Sequence, residues 1–403
     1  MILAHSIRLD PNDKQKSYFR RACSTSRWAY NWALAEWKKA YEAGEKPSGR
    51  ALKKKLNAIR HTDFPWTGDV HRDCTARPFD DLQAAFQHFF RRVKSGERPG
   101  YPKFKKKGRC KDSFYAAADK VRFDGERVRL PVVGWIRTME ALRFDGKVLG
   151  VTVSRTADRW HVAVQVDVGD ARKDRVGDAV VGVDLGIKAS ATLSTGEVVD
   201  GPKALQAHIK RLKRLSRRHS RKQRGSNNQR KAAMLLAKLH NRIGNIREDH
   251  LHKLSTRLVS ENQAVGIEGL AVGNMVRNHK LARAILDEGW AELRRMIDYK
   301  ALMYGTEVVI HDRWFPSSKA CSGCGVVKDV LLLSDRVYEC DACGVVLDRD
   351  HNAALNLRPI GLPGGTGNEK PVEIAALTDP SGSAKLRSLK QESSGCSPEM
   401  VAV

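Results

Sequence analysis

The spacing of hydrophobic residues in the first hundred positions is mostly helical. Alternation from His5 to Leu9 predicts a short strand, and Asp10 and Pro11 then predict the N-cap and first-turn proline of a helix. Apolar residues at helical spacing predict a helix pair through Trp37 and a second helical, basic segment from Gly49 to Lys94. The aromatic residues of these segments fill a core in the simplest interpretation, and base stacking is the alternative.

Strand-like alternation replaces this pattern from Phe114 to Val168, where Asp-Gly and similar turns separate predicted hairpins. Residues 1–170 are therefore predicted to form a β-rich, β-barrel-like unit, with a helical bundle inserted at about residues 10–110. A polar stretch, residues 171–178, is predicted to link this unit to the rest of the chain.

Buried strands and long helices alternate in residues 179–358. Three strands come first, of which the first ends at Asp184, and two long helices follow them. A strand ending at Glu268, a helix from about Ala282 to Tyr304, another strand and a last helix beginning near Asp350 complete the series. This order is the topology of an RNase H-like α/β domain, so the predicted fold class is α+β with several domains.

Positive charge dominates the composition. The chain has 72 Lys and Arg against 46 Asp and Glu, a formal net charge of +26. Such an excess indicates a polyanionic partner, and nucleic acid is the obvious candidate. Basic residues concentrate in the predicted helical hairpin at residues 202–262 and in the loop from Pro99 to Arg109, where Tyr and Phe alternate with Lys. Both segments suit a phosphate backbone, although a solvated surface would also explain them.

Membranes and disulfides have no part in the expected function. We find no transmembrane run and no signal peptide, because residues 1–10 are too short and too polar for one. Four of the eight cysteines are scattered, which is typical of a chain in a reducing cytoplasm. The expected location is therefore cytoplasmic.

Two Cys-x-x-Cys pairs are separated by 15 residues. This spacing is typical of structural zinc, since each tight turn directs two thiolates at one ion and two turns complete a tetrahedron. Gly325 and Gly344, one directly after each pair, suit turns that need a positive φ. Two disulfides or four buried thiols are alternatives that leave the paired spacing unexplained. The predicted zinc ligands, in a zinc ribbon at residues 317–346, are Cys321, Cys324, Cys340 and Cys343.

Three acidic residues lie at the ends of predicted elements. Asp184 ends the first strand of residues 179–358, Glu268 ends the fourth, and Asp350 begins the last helix. Carboxylates that converge on one surface repel each other unless cations neutralise them, and oxygen ligands suit Mg²⁺ or Mn²⁺. Two such ions would support hydrolysis of a phosphodiester. The alternative is that each acid merely ends a strand or caps a helix, as Asp348 or Asp350 would do at the last helix.

Several short motifs resemble a known family. Those of the C-terminal half are GVDLGIK at residues 182–188, IEGL at 267–270, the paired cysteines, and DRDHNAALN at 348–356. They are similar to the RuvC-type nuclease domain of the transposon-encoded TnpB (OrfB) proteins. LDPNDKQ, RWAYNWAL and YPKFKKKGR resemble the N-terminal region of the same family, so the resemblance extends over about residues 1–358.

The resemblance implies a prokaryotic RNA-guided DNA endonuclease related to the type V CRISPR effectors. A guide RNA from the transposon end would supply the sequence by base pairing, while the protein would read a short motif flanking the double-stranded target DNA. The helices at about residues 10–110 would then serve nucleic-acid recognition. The implied catalytic acids, which would bind magnesium, are Asp184, Glu268 and Asp350. Asp184 would bridge two ions, and Asp348 would support these ligands without binding an ion directly. The implied zinc ligands are the four paired cysteines.

Three other functions suit the same residues. A guide-dependent repressor would bind DNA without cutting it, although none of the three acids is missing from this chain. A transposase that itself joins DNA strands is another alternative, because RNase H-like folds also support strand transfer. A guide-independent nuclease would need fewer positive charges than this chain carries.

The last stretch of the chain, residues 359–403, is rich in Gly, Ser, Pro and Glu and matches none of the family's motifs. Such a composition is typical of a segment that buries too little apolar surface to fold. We predict that this tail is disordered and dispensable for cleavage.

Overall fold

The structure, a computed structural model, describes residues 1–170, 172–332 and 334–359. The chain divides after Asp170 into two compact units, and the described part of the second is residues 172–359. Both units combine helices with strands, which confirms the predicted α+β class with more than one domain. Within the described residues, no helix has the length and apolar character needed to cross a bilayer. The predicted tail lies outside the described residues except for Pro359.

The first unit is an antiparallel sheet with three helices between its first two strands. Its elements are β1 (Ile2–Asp10), α1 (Asp13–Glu42), α2 (Gly49–Asp63), α3 (Asp73–Lys94), β2 (Ser113–Ala117), β3 (Arg122–Asp124), β4 (Arg127–Leu130), β5 (Gly134–Thr138), β6 (Lys147–Thr156) and β7 (Arg159–Asp167).

The seven strands pair in the order β2-β6-β7-β1-β5-β4-β3. Every second residue of β1 and β7 is buried, so Ile7 and Val162 lie in one core with Phe19 of α1. This burial follows from the two-residue period of a strand with one covered face. The pairings of residues 1–170 form a linear series that ends at β2 and β3, and closure into a barrel stays a prediction.

The entry into α1 differs from the sequence prediction. Asp10 is still part of β1, opposite Arg137, and the N-cap is Asn12. The Asn12 side chain accepts a hydrogen bond from the Gln15 amide at 2.9 Å, and the Gln15 side chain accepts one from the Asn12 amide at 3.0 Å. This capping box satisfies two amides at once, which a cap at Asp10 would not do. The predicted helix pair is also wrong, because α1 is one continuous helix of 30 residues.

The basic loop between α3 and β2 is attached to α1. The Asn31 side chain donates to the carbonyl of Lys105 at 2.9 Å and accepts from its amide at 2.8 Å. The ammonium group of Lys105 lies 3.9 Å from the centre of the Tyr30 ring. Lys103, Lys106 and their neighbour Lys107 are exposed, so the loop presents positive charge to solvent from a defined backbone.

The second unit contains a five-stranded sheet, six helices and a two-stranded ribbon within the described residues. Its elements are β8 (Ala179–Asp184), β9 (Ala191–Leu193), β10 (Val198–Val199), α4 (Ala204–Ser220), α5 (Asn227–Glu261), β11 (Asn262–Glu268), α6 (Val272–Met275), α7 (Ala282–Glu288), α8 (Trp290–Tyr304), β12 (Glu307–His311), β13 (Val337–Glu339), β14 (Val346–Asp348) and α9 (Arg349–Asn356).

The five-stranded sheet has the order β10-β9-β8-β11-β12. Strands β8, β11 and β12 are parallel, while β9 and β10 are joined to β8 by antiparallel pairings. Nearly all of β8 and β11 is buried, as expected for parallel strands covered on both faces. Leu258 of α5 and Met296 of α8 belong to the core that covers this sheet.

The helix predicted from Ala282 to Tyr304 is interrupted at Gly289. This glycine has a φ of +73°, and its amide donates to the carbonyl of Ile285. A left-handed residue ends one helix, and glycine adopts that conformation without steric penalty. The carboxylate of Asp287 accepts hydrogen bonds from the amides of Leu205 and Gln206, so the end of α7 caps the start of α4.

The predicted basic hairpin is present as α4 and α5. Leu212 and Leu215 pack against Leu239 and Ile243 in a small core between the two helices. The opposite face of α4 exposes Lys210, Arg211, Lys213, Arg214, Arg217 and Arg218. None of these six cations forms an ion pair within the described part of the chain, so their charge is available to a polyanion.

Candidate functional site

The strands β8 and β11 bring two acidic residues to one edge of the sheet. The strands are parallel, and Val183 lies opposite Ile267. Asp184 and Glu268 are the next residues of each strand and its last, so both side chains follow at the carboxyl edge. This arrangement is the one expected from the sequence for the first and fourth strands of the unit.

Helix α9 packs directly on the backbone of both strands. A Cβ atom added to Gly182 would lie 2.0 Å from the carbonyl oxygen of Ala354, and one added to Gly266 would lie 1.8 Å from that of Leu357. Only glycine permits so close an approach. Each glycine precedes an acid by two residues, at Asp184 and at Glu268. Sequence reasoning missed this repeated Gly-x-acid pattern, which could have indicated where the helix crosses.

The position of Asp350 follows from the start of α9. Asp348 ends β14 and is the N-cap, since its carboxylate accepts from the amides of Asp350 at 2.9 Å and His351 at 3.0 Å. Asp350 is the second residue of the helix, and its own carboxylate takes no part in capping. The two aspartates of the motif therefore have different roles, and the cap is the earlier one.

The three carboxylates interact electrostatically. The pKa of Asp184 is raised to about 7, first by burial and then by the charges of Glu268 and Asp350, against the opposing effect of Arg349. The guanidinium of Arg349 lies 3.0 Å from Asp350. A carboxyl group with neighbours of the same charge is destabilised in its ionised form. A divalent cation would remove that repulsion, and a set of oxygen ligands fits Mg²⁺ or Mn²⁺.

A cleft of about 470 Å³ opens beside Glu268. Leu185, the loop at residues 269–273, and Trp290 and Arg294 of α8 line it. The cleft places an open volume next to one of the three acids. If the reacting phosphate of a nucleic-acid strand lay at the carboxylates, the adjoining nucleotide would have room in this cleft.

The four paired cysteines converge on one point. Among the described residues they are the one group of three or more side chains of ligand type whose donor atoms lie within 4.8 Å of one another. The Sγ atoms of Cys321 and Cys343 are 3.6 Å apart, as are those of Cys324 and Cys340. Tetrahedral zinc with bonds of about 2.3 Å requires separations near this value. Four thiols in this arrangement fit zinc.

The geometry excludes the disulfide alternative, because a disulfide needs a sulfur separation of about 2.05 Å and all four cysteines are free. Amide groups of the second turn, those of Cys343 and Ala342, lower the pKa of the Cys340 thiol to about 6, while the neighbouring thiols of the cluster raise the pKa of Cys324 and Cys343. The thiolate is the form that binds metal. Gly325 and Gly344 have φ of +78° and +73°, which confirms the predicted turns.

The segment that holds the four cysteines, predicted to be a zinc ribbon, is connected directly to the helix that carries Asp350. Strand β13 pairs with β14, and β14 continues without a break into α9, which carries Asp350. The side chain of Tyr338 is fully buried and packs with Cys321 and Cys340. A change in the ribbon therefore reaches the start of the helix through one short strand.

Known families match most of the chain. Residues 161–279 match the OrfB family of IS605 elements, described as "Probable transposase", and residues 290–357 match a "Cas12f1-like, TNB domain". A protein of Streptomyces pristinaespiralis described as "Putative RNA-guided DNA endonuclease" is 38% identical over 365 residues, covering 89% of each chain. The chain belongs to the TnpB/OrfB family. This confirms the resemblance found in the sequence.

A second relative of this TnpB/OrfB member carries the same description, and one solved structure shares its fold. InsQ of Escherichia coli K12, also described as "Putative RNA-guided DNA endonuclease", is 32% identical over 375 residues, covering 89% of this chain and 92% of InsQ. The solved complex of Cas12f1 with a guide RNA and target DNA has a TM-score of 0.53 and 14% identity, over 86% of this chain and 83% of Cas12f1. That likeness concerns the fold.

One family description does not fit the local structure. Residues 1–46 match a family described as "Helix-turn-helix domain". In this TnpB/OrfB member the same residues form β1 and the single helix α1, with no turn between two helices.

Proposed function

We propose that this protein is an RNA-guided DNA endonuclease that hydrolyses phosphodiester bonds with two Mg²⁺ or Mn²⁺ ions. The observation that carries the proposal is that the charges of Glu268 and Asp350 act on the buried Asp184 and help to raise its pKa, although the three carboxylates do not all lie within 4.8 Å of one another. The descriptions of the Streptomyces and Escherichia relatives support the same activity.

The second unit is an RNase H-like nuclease domain in this proposal. In its sheet, the strand of Asp184, β8, has the antiparallel partner β9 on one side and the parallel partner β11 on the other. This order supports that assignment. Strand ends and a helix start are rigid supports, so the acids need little reorganisation to bind cations. The cluster of four cysteines is a structural zinc site that supports the helix of Asp350.

Each acid has a separate role at the reacting phosphate. Asp184, Glu268 and Asp350 would hold the two ions, with Asp184 as the ligand common to both. The ions would supply activation of the attacking water and stabilisation of the leaving oxygen. Arg349 balances part of the negative charge of Asp350, and Asp348 holds the first turn of α9 by capping it.

Nucleic acid is bound by the exposed cations. The face of α4 and, in the loop at residues 99–109, Lys103, Lys106 and Lys107 present exposed positive charge, which suits contacts to phosphates. The guide is an RNA from the end of the protein's own transposon, and the target is double-stranded DNA beside a short motif. We also assign the helices inserted in the first unit to recognition. Their aromatic residues, such as Trp37 and Phe86, stack in a core, and this core supports the basic surfaces of the helices.

The test is cleavage of a plasmid library with a randomised motif beside the target. Protein is co-expressed with RNA from the end of its element and assayed with Mg²⁺, with EDTA, and without the RNA. Asp184→Ala should abolish cutting while leaving RNA binding intact. Asp178→Ala is the matched control, because this exposed aspartate pairs with Arg175 and precedes the first residue of β8, at the end of the strand opposite Asp184.

The outcomes separate the functions. Cutting that needs the RNA, Mg²⁺ and Asp184 supports the guided nuclease. RNA that copurifies with a protein that binds the target without cutting it would instead indicate a repressor. Cutting without RNA would indicate an unguided nuclease. Strand joining by a protein that neither binds RNA nor cuts the target would indicate a transposase.

A further inference from the structure

A polar network behind the carboxylates connects them to the zinc ribbon. Ser317 lies between β12 and the first cysteine pair and is 3% exposed. Its hydroxyl donates to Oε1 of Glu268 at 2.5 Å. Its carbonyl oxygen accepts from the Asn356 side chain of α9 at 2.8 Å. One residue thus contacts the acid of β11 and the helix that carries the acid Asp350.

A second asparagine of the same helix holds the first cysteine pair. The Asn352 side chain is fully buried, accepts from the amide of Ser322 at 3.0 Å and donates to the carbonyl of Ala320 at 2.7 Å. The contacted residues are those on either side of Cys321. Asn356 also donates to Ala320, at 2.8 Å.

Helix α9 therefore has two faces with different roles. Asn352 and Asn356 are four residues apart and share one face, whereas Asp350 lies two residues before Asn352 and points away from that face. An amide side chain can donate and accept at once, which an aspartate or a leucine cannot do. The asparagine face fixes the helix to the zinc ribbon while the other face directs Asp350 toward the acids.

We propose that Ser317 is a positioning residue for the cation site. It holds the carboxylate of Glu268 at a set orientation relative to Asp350, and Asn352 and Asn356 make that orientation depend on the zinc ribbon. The inference rests on the proposed function, since it assumes that Glu268 and Asp350 bind divalent cations. Replacing residues that orient metal ligands in this way typically lowers metal affinity or activity by about tenfold to a hundredfold.

The variant Ser317→Ala removes the hydroxyl and leaves the backbone carbonyl in place for Asn356. We expect the Mg²⁺ concentration for half-maximal cleavage to rise by about tenfold to a hundredfold. The rate at saturating Mg²⁺ should recover to near that of the wild type. Zinc content and melting temperature should stay unchanged, because neither a thiol nor the fold is altered.

Ser260→Ala is the matched control. Ser260 is a buried serine of the same unit whose hydroxyl donates to a backbone carbonyl of its own helix, that of Arg257. Its replacement should leave the Mg²⁺ requirement unchanged. Asn352→Ala should raise the Mg²⁺ requirement in the same direction as Ser317→Ala.

A second measurement does not depend on cutting. Binding of Mn²⁺ to the RNA-loaded protein is titrated by electron paramagnetic resonance in wild type, Ser317→Ala and Asp184→Ala. Weaker binding in Ser317→Ala, at the sites lost in Asp184→Ala, supports the positioning role.

Equal Mn²⁺ binding and an equal Mg²⁺ requirement in wild type and Ser317→Ala would overturn the positioning role and leave the nuclease standing. A lower rate at every Mg²⁺ concentration, together with a lower melting temperature, would overturn it in favour of a purely structural role. A wild type that shows neither Mn²⁺ binding at Asp184 nor cutting would remove the proposed function itself.

Discussion

At the scale of single residues, Asp184 makes the folded protein less stable when it is charged. Its pKa is raised to about 7, first by burial and then by Glu268 and Asp350, against a usual value of 3.8. A raised carboxyl pKa contributes stability that is present below the unfolded value and is lost as pH rises through the folded value. In the absence of cations, the protein should therefore lose stability between about pH 4 and 7.

Asp184→Asn should remove this loss. We expect the variant to exceed the wild type in melting temperature at pH 8 and to match it more closely at pH 5. The difference in the free energy of unfolding at pH 8 should be at most about 4 kcal/mol. The measurement is thermal unfolding in EDTA at both pH values. Asp178→Asn, an exposed aspartate, is the control. An equal difference at the two pH values would contradict the assignment of the titrating group.

Two glycines determine how closely α9 approaches the sheet. Gly266→Ala would place a Cβ atom 1.8 Å from the carbonyl oxygen of Leu357, so the helix must move. We expect a loss of about 1 to 3 kcal/mol in the free energy of unfolding, and reduced cutting because Asp350 moves with the helix. Denaturant unfolding and plasmid cleavage measure the two effects.

Gly244→Ala is the control for this substitution. Gly244 lies within α5, and an added Cβ there would meet nothing within 4 Å. Alanine should stabilise that helix by about 0.5 to 1 kcal/mol. Equal stability losses in the two variants would show that the close approach of α9 is not what Gly266 provides.

At the scale of elements, the zinc ribbon and α9 act as one segment. Cys340→Ser removes one of the four thiols of the proposed zinc site and should lower the zinc content, loosen β14 and lower cutting by about tenfold or more. Metal analysis and plasmid cleavage test this. Cys110→Ser, at a cysteine outside the cluster, should change neither. Normal zinc content and activity in Cys340→Ser would refute the connection between the ribbon and Asp350.

The helix α4 is the element whose charge is least balanced. Replacing Arg211 and Arg214 by alanine should weaken RNA binding at low salt and lower the slope of log affinity against log salt by up to about two, one for each lost phosphate contact. Lys253→Ala is the control, because Lys253 of α5 already pairs with Asp249 at 2.7 Å. An unchanged slope in the double variant would mean that α4 faces solvent and not the nucleic acid.

At the scale of the whole molecule, a net charge of +26 favours binding of a polyanion. The sequence predicts that this partner is bound by residues 1–358 and that the tail is dispensable. A chain that ends at Pro359 should therefore retain RNA-dependent cutting within about twofold of the full chain, since none of the proposed ligands is lost. Cleavage by the two chains, at equal RNA loading, is the measurement, and loss of cutting would show that the tail is required.

The sequence by itself determined features that depend on neighbours close in the chain. The paired cysteines and the glycines after them predict a metal site because two residues within one turn already set the distance between thiols. The strands ending in Asp184 and Glu268 follow from short runs of buried residues bounded by turns. The basic hairpin follows from helical spacing together with a lack of acids from residue 201 to residue 231. The described structure shows the strands, the hairpin and the grouping of the four cysteines.

Tertiary structure decided what depends on residues far apart in the chain. Asn12 rather than Asp10 caps α1 because β1 continues to pair with β5 through Asp10. The break at Gly289 serves the contact of Asp287 with α4, more than 80 positions away. The role of Ser317 emerges only when α9 is placed against the sheet. Hydrogen bonds between distant segments carry no local period, so no pattern along the chain could have indicated these contacts.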